Sequence, residues 1–223
     1  HGALMMAGGI PIYVPTARNA WGLIGPMCHD AFDEAALRDR IRTHPLVKDP
    51  EAWKKPRPLR VAVVEQCTYD GTIHDAEIIL KRIGHLCDYI LFDEAWAGFM
   101  KFHPLYAGRF AMGLGDLGPD APGIIATQST HKTLTSLRQG SMIHVYDQDW
   151  VREAEEPFHE AYMTHTTTSP NYQILTSLDL GRRQVELEGF ELVQRQLDLA
   201  TSLCQAVARH PLLRRTFRVL TAH

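Results

Sequence analysis

Apolar residues in this chain fall into two patterns. Some form short, nearly unbroken runs, and others recur every three or four positions through longer stretches. Residues 9–14 (GIPIYV), 59–65 (LRVAVVE), 89–92, 123–127 (GIIAT) and 141–146 (SMIHVY) are runs of the first kind and predict strands. Residues 30–43 and 75–83 show the second pattern. In the former, Phe32, Ala35, Leu37 and Ile41 share a face that Asp30 can cap; in the latter the face is Ala76, Ile79, Leu80 and Ile83. Residues 171–209 continue a helical pattern, with a break predicted near Gly181 or Gly189. Asn19, Gly22, Gly25 and Pro26 mark residues 16–26 as loop, residues 44–57 read as a polar connection, and residues 68–71 (TYDG) read as a turn. Strands alternating with helices predict an α/β fold, its mainly parallel sheet covered by helices on both faces. Ligands of such sheets bind at the carboxyl edge of the strands. Polar clusters follow three of the predicted strands there, after residues 65, 92 and 127.

Composition changes this picture little. The 223 residues suffice for a buried core, and 45% hydrophobic with 22% charged residues is ordinary for a globular chain. A net charge of -3 leaves no basic surplus for nucleic acid. No apolar run approaches the ~18 residues that span a bilayer. The start, His1-Gly2-Ala3-Leu4, has no basic leader and reads as entered mid-domain; the end, around Phe217 to Leu220, stops inside an apolar pattern, so both ends read as those of a fragment. Cys28, Cys67, Cys87 and Cys204 include no C-x-x-C pair; no metal site is expected, and reduced, buried thiols in the cytosol are.

Two clusters carry chemistry. Phe92-Asp93-Glu94-Ala95-Trp96 follows an apolar strand. A carboxylate at that place needs a partner. Asp93 either caps backbone amides or meets a protonated heterocyclic nitrogen, such as that of pyridoxal phosphate, whose ring then withdraws electrons. Thr127-Gln128-Ser129-Thr130-His131-Lys132 follows another strand. Lys132 is either a solvated loop lysine or an amine able to form a Schiff base with an aldehyde cofactor, with Ser129, Thr130 and His131 as donors to a phosphate. Together the clusters are more specific than either alone, because one sheet edge can set Asp93 and Lys132 on opposite sides of one ring. A third segment, His165-Thr166-Thr167-Thr168-Ser169-Pro170, is either a donor-rich loop able to reach a phosphate, including that of a neighbouring subunit, or a turn in which Ser169 caps the next helix with Pro170 at its first position. Gly113-x-Gly115-x-x-Gly118 runs into prolines rather than a helix and is no dinucleotide loop; His159 and His165 lack metal-ligand company.

These motifs resemble the major domain of the bacterial Orn/Lys/Arg decarboxylases. The resemblance rests on F-D-E-A-W, F-H-P-L-Y (residues 102–106), A-T-Q-S-T-H-K (126–132), S-M-I-H-V (141–145) and H-T-T-T-S-P, with P-T-A-R-N-A-W-G (15–22) and C-T-Y-D-G (67–71) in the same order. It implies the aspartate-aminotransferase type of fold (fold type I) with pyridoxal 5'-phosphate as cofactor. Lys132 would be the cofactor-binding lysine, Asp93 the partner of the pyridine nitrogen, and Ser129 and His131 neighbours of the phosphate. Thr167 would reach the phosphate of a partner subunit, and Trp96 and Ala95 would form the wall beside the ring hydroxyl. It also implies a homodimer or larger homo-oligomer with the site at the interface. Residues 1–175 would form part of the cofactor-binding major domain and 176–223 a helical segment leading towards a C-terminal domain. Family members carry a Gly-Thr-Ser-Thr-like phosphate loop and a ring-stacking histidine upstream of these motifs. Neither is in this sequence, so the chain alone is expected to bind cofactor poorly and to be inactive.

The implied reaction is α-decarboxylation of a basic amino acid to the amine and carbon dioxide. D-E-A-W followed by Gly98, and I-G-P (24–26), lean towards the arginine-acting branch; H-T-T-T-S-P leans towards the lysine-acting one. Arginine is favoured, with lysine and ornithine open. Another fold-type-I enzyme such as an aminotransferase, and a catalytically silent structural homologue, are the competing readings.

Overall fold

A computed structural model describes residues 2–27 and 30–219. In chain order its elements are α1 (Gly2–Met6), β1 (Thr16–Arg18), β2 (Ile24–Met27), α2 (Glu34–Thr43), β3 (Leu59–Glu65), α3 (Ala76–Ile83), β4 (Cys87–Asp93), β5 (Gly123–Gln128), α4 (Thr130–Thr133), β6 (Met142–Tyr146), α5 (Glu155–His165), α6 (Tyr172–Arg209) and α7 (Leu213–Thr216). The main sheet has the order β3-β4-β5-β6; the first three strands are parallel and β6 runs antiparallel to β5. The fold is therefore α/β with a mixed, mostly parallel sheet, as the alternation of runs predicts.

Register sets what each strand end presents. Val64, Phe92, Ala126 and His144 form one cross-strand row, and Glu65, Asp93, Thr127 and Ile143 the next. Successive residues point to opposite faces, so the two rows face opposite ways. The first face is core: Val64, Ile90, Phe92, Ile124 and Ala126 pack against Ala76, Ile79 and Ile83 of α3 and Leu37 of α2. Each large side chain buried there contributes about 1.5–3 kcal/mol. The second face keeps Val61, Val63 and Ile143 43%, 66% and 42% exposed. Cover on both faces, expected of a mainly parallel sheet, is thus incomplete among the described residues, because the β3-to-β4 connection places its helix on the core side.

The predicted helices form with adjusted ends. Asp75 caps α3, its Oδ1 accepting from the Ile78 amide at 3.0 Å. The α2 cap is Asp33 rather than Asp30, accepting from the Ala36 amide at 2.8 Å. Residues 9–14 form no strand; Pro11 withholds a ladder donor. Instead the expected loop of residues 16–26 pairs β1 with β2. Asn19 Oδ1 accepts from the amides of Trp21 and Leu23, and Gly22 takes a φ of 80° at the turn.

The expected break in α6 does not occur: its 38 residues are continuous. Asn171 rather than Ser169 caps it, accepting from the Gln173 and Ile174 amides. Gly181, Val185, Gly189 and Val193 are its buried residues, one every fourth position. A Cβ on Gly181 would stand 1.8 Å from the Thr135 carbonyl oxygen, and one on Gly189 2.8 Å from Phe102. These glycines therefore mark close packing, not helix ends. Cys67 and Cys87 are buried, and burial pushes their thiols up to about 11 and about 12. Cys204 is exposed, against expectation, because α6 buries only its glycine–valine stripe. Cys28 lies outside the described residues. No described helix is long and apolar enough to cross a membrane.

Candidate active site

Asp93 ends β4 and is paired in register with Thr127 of β5. Its Oδ1 accepts from the Ala95 amide at 3.0 Å, which orients the carboxylate as the chain leaves the sheet. Oδ2 takes no hydrogen bond among the described residues. One strand over, β5 ends at Gln128 and Ser129 stands at the N-cap of α4 without its hydroxyl bonding that helix's amides. The single turn of α4 sets Lys132 Nζ 4.5 Å from the centroid of the Trp96 ring, a cation–π distance. Lys132 makes no ion pair among the described residues.

Asp93, Ala95, Ser129 and Lys132 line one cavity of about 860 Å³ at the carboxyl edge of the sheet. The structure thus brings the acid and the amine of the two motifs to one space. Thr127, Ser141, His144, Tyr162 and Thr166 also line it, and sequence reasoning singled out none of them as site residues. Thr127 could have been found from strand alternation, which sets it beside Asp93. Tyr162 comes from α5, which no local signal ties to the sheet. Burial pushes the His144 imidazole below its usual range, and its Nε2 is enclosed without a partner among the described residues.

Three expected site residues do not line the cavity. His131 is turned away: its Nδ1 donates to the Gly140 carbonyl at 2.8 Å, tying down the loop after α4. Trp96 supports Lys132 from the side. Thr167 is exposed and its Oγ1 accepts from the Ser169 amide at 3.1 Å; the preceding Thr166 is the one at the cavity of its own chain.

Beneath the cavity floor lies Glu94, fully buried. Its Oε1 accepts from the Ala111 amide at 2.5 Å and its Oε2 from Gln128 Nε2 at 3.0 Å. Its own amide donates to the Thr127 carbonyl at 2.9 Å. Burial raises its carboxyl above the usual range, with both hydrogen bonds pulling the other way.

A carboxylate and an amine with no ion pair among the described residues thus line one cavity at the carboxyl edge of the sheet, the place where α/β proteins of this kind hold their ligands. The chain belongs to the Orn/Lys/Arg decarboxylase family, whose major domain it matches over residues 1–221. It is 40% identical over 190 residues to the inducible ornithine decarboxylase of Escherichia coli (strain K12), covering 83% of this chain and 25% of that protein. With the biodegradative arginine decarboxylase of the same organism it shares 38% identity over 208 residues, covering 92% and 27%. The solved structure of lysine decarboxylase A from Pseudomonas aeruginosa superposes with a TM-score of 0.82 at 34% identity, covering 95% of this chain and 28% of that one. The chain therefore spans about a quarter of the length of the relatives it matches.

Proposed function

We propose that this chain forms part of the catalytic core of a pyridoxal-phosphate-dependent decarboxylase of basic amino acids. The observation that carries the reading is the shared cavity with Asp93 on one side and Lys132 on another. Its donor set fits the cofactor: an amine for the aldehyde, a carboxylate with a free oxygen for the ring nitrogen, and the hydroxyls of Ser129 and Ser141 for polar substituents. Family membership supports the same chemistry.

Bound there, the cofactor would supply an electron sink for the pair released when the substrate's Cα–carboxylate bond breaks. Asp93 would keep the ring nitrogen protonated, and its hydrogen bond from the Ala95 amide fixes the carboxylate for that role. Lys132 would hold the cofactor through its aldehyde, and its Nζ would be the group that carries a proton towards Cα. The Trp96 ring gives that ammonium a place to rest. His131 positions the loop behind Lys132. Thr167 serves the site of a partner subunit in a homodimer or larger assembly acting in the cytoplasm. Residues 1–175 carry the cofactor site and 176–223 lead away from it.

Arginine is the favoured substrate, on the D-E-A-W and I-G-P segments. Relatives named for ornithine and arginine are 40% and 38% identical and so do not choose between them. Two measurements test the reading. Borohydride reduction of the full-length protein with pyridoxal phosphate is expected to fix the label on Lys132; label spread evenly over the other lysines overturns it. In an active preparation, carbon dioxide rather than a keto acid is the expected product, with arginine the preferred substrate in competition. Asp93→Ala is expected to cut turnover by about 10²–10³-fold or more, and near-normal turnover would refute its role.

A further inference from the structure

The geometry points to Glu94 as the positioning residue of this site: its buried carboxyl locks the end of β4, which carries Asp93, to the end of β5, which leads to Lys132. This rests on the decarboxylase reading above. Three hydrogen bonds hold Glu94 in place: one of its carboxyl oxygens is tied to β5, the other to the segment between the strands, and its backbone to the β5 ladder. The Glu94 amide donates to Thr127 O, Gln128 Nε2 donates to Glu94 Oε2, and the Ala111 amide donates to Glu94 Oε1. Lys132 in turn hangs on Ser129, its amide donating to the Ser129 carbonyl at 2.9 Å. Beyond the backbone ladder, the side-chain path from acid to amine thus runs through Glu94 and Gln128.

The chemistry of the position explains the residue. Two N–H donors converge from different segments, and only a carboxylate offers two acceptor oxygens to them without turning a donor inward. Glutamine keeps both contacts only if the Gln128 amide turns over so that its oxygen accepts. Leucine of similar bulk keeps neither, leaving two buried donors unpaired. Chemistry across the cavity needs the reacting groups held to about 0.5 Å, which a strand end alone does not guarantee.

The test compares Glu94→Leu, Glu94→Gln, Gln128→Met and a core control, Ile79→Ala in α3, in the full-length protein. Two quantities are read: amide hydrogen exchange at Ala95, whose N–H reports the set of the Asp93 carboxylate, and the fraction of borohydride-fixed pyridoxal phosphate on Lys132. Glu94→Leu is expected to speed Ala95 exchange and lower Lys132 labelling by about tenfold or more. Glu94→Gln is expected to restore both. Gln128→Met, which removes one tether and is the milder lesion should Glu94→Leu not fold, is expected to move both in the same direction by less. Ile79→Ala should lower global stability yet change neither ratio relative to the β3–β4 ladder amides. Unchanged Ala95 exchange in Gln128→Met, or an equal change in Ile79→Ala, overturns the proposal. If Ala95 responds as expected but Lys132 of the unaltered chain is never labelled, the positioning role stands and the cofactor reading falls.

Discussion

Burial drives two ionisable groups at this cavity, Glu94 and His144, in opposite directions, and that difference is measurable as stability against pH. Glu94 is held above the usual carboxylate range. As pH rises past that range the unfolded chain gives up this proton first, so the folded state holds more protons and loses stability until its own raised value is passed. His144 is held below the usual imidazole range. As pH falls through that range the unfolded chain takes up a proton first, and stability falls with acidification. Glu94→Gln is expected to remove the first loss and His144→Phe the second, read from urea midpoints across pH; curves that superpose on the unaltered chain contradict the assignment. Asp93 and Lys132 were legible in the sequence because each lies in a polar cluster that follows a short apolar run. Glu94 was not, although it adjoins Asp93. Its partners lie 17 and 34 residues away, and adjacency says nothing about which of two carboxylates turns inward.

At the scale of elements, a glycine read as a helix breaker proved to be a contact. Propensity alone favours Gly181→Ala by about 1 kcal/mol. The added methyl would meet the Thr135 carbonyl oxygen at 1.8 Å, a backbone atom that cannot swing aside. The substitution is therefore expected to destabilise by about 1–3 kcal/mol net, seen as a lower urea midpoint; a more stable protein would show that α6 does not hold its place against the loop after α4. The cap of α6 followed the same rule of context. Ser169-Pro170 has the right chemistry for a start, but Asn171 is where the backbone turns and where two amides meet a side-chain oxygen. The β1–β2 ribbon was missed because its strands are short and Gly25 and Pro26 of β2 read as loop, and its cause is the Asn19 turn.

For the whole molecule, the sheet is the frame and its two faces are unequal. Phe92 is fully buried on the core face, whereas Val63 on the other is 66% exposed. Phe92→Ala is expected to cost about 3–5 kcal/mol, and Val63→Thr to stay within about 0.5 kcal/mol; calorimetry of both variants checks the contrast. The alternation of apolar runs by itself determined four of the sheet strands, the α3 helix and the position of the acid and amine at strand ends, because period and chain adjacency are local properties of the backbone. Only the tertiary structure decided that β6 runs antiparallel, that one face of the sheet is left open among the described residues, that α6 passes its glycines unbroken, and that Asp93 and Lys132 border one cavity beside a buried Glu94. Those outcomes depend on strand register and on contacts between residues far apart in the chain, and no local pattern carries that information.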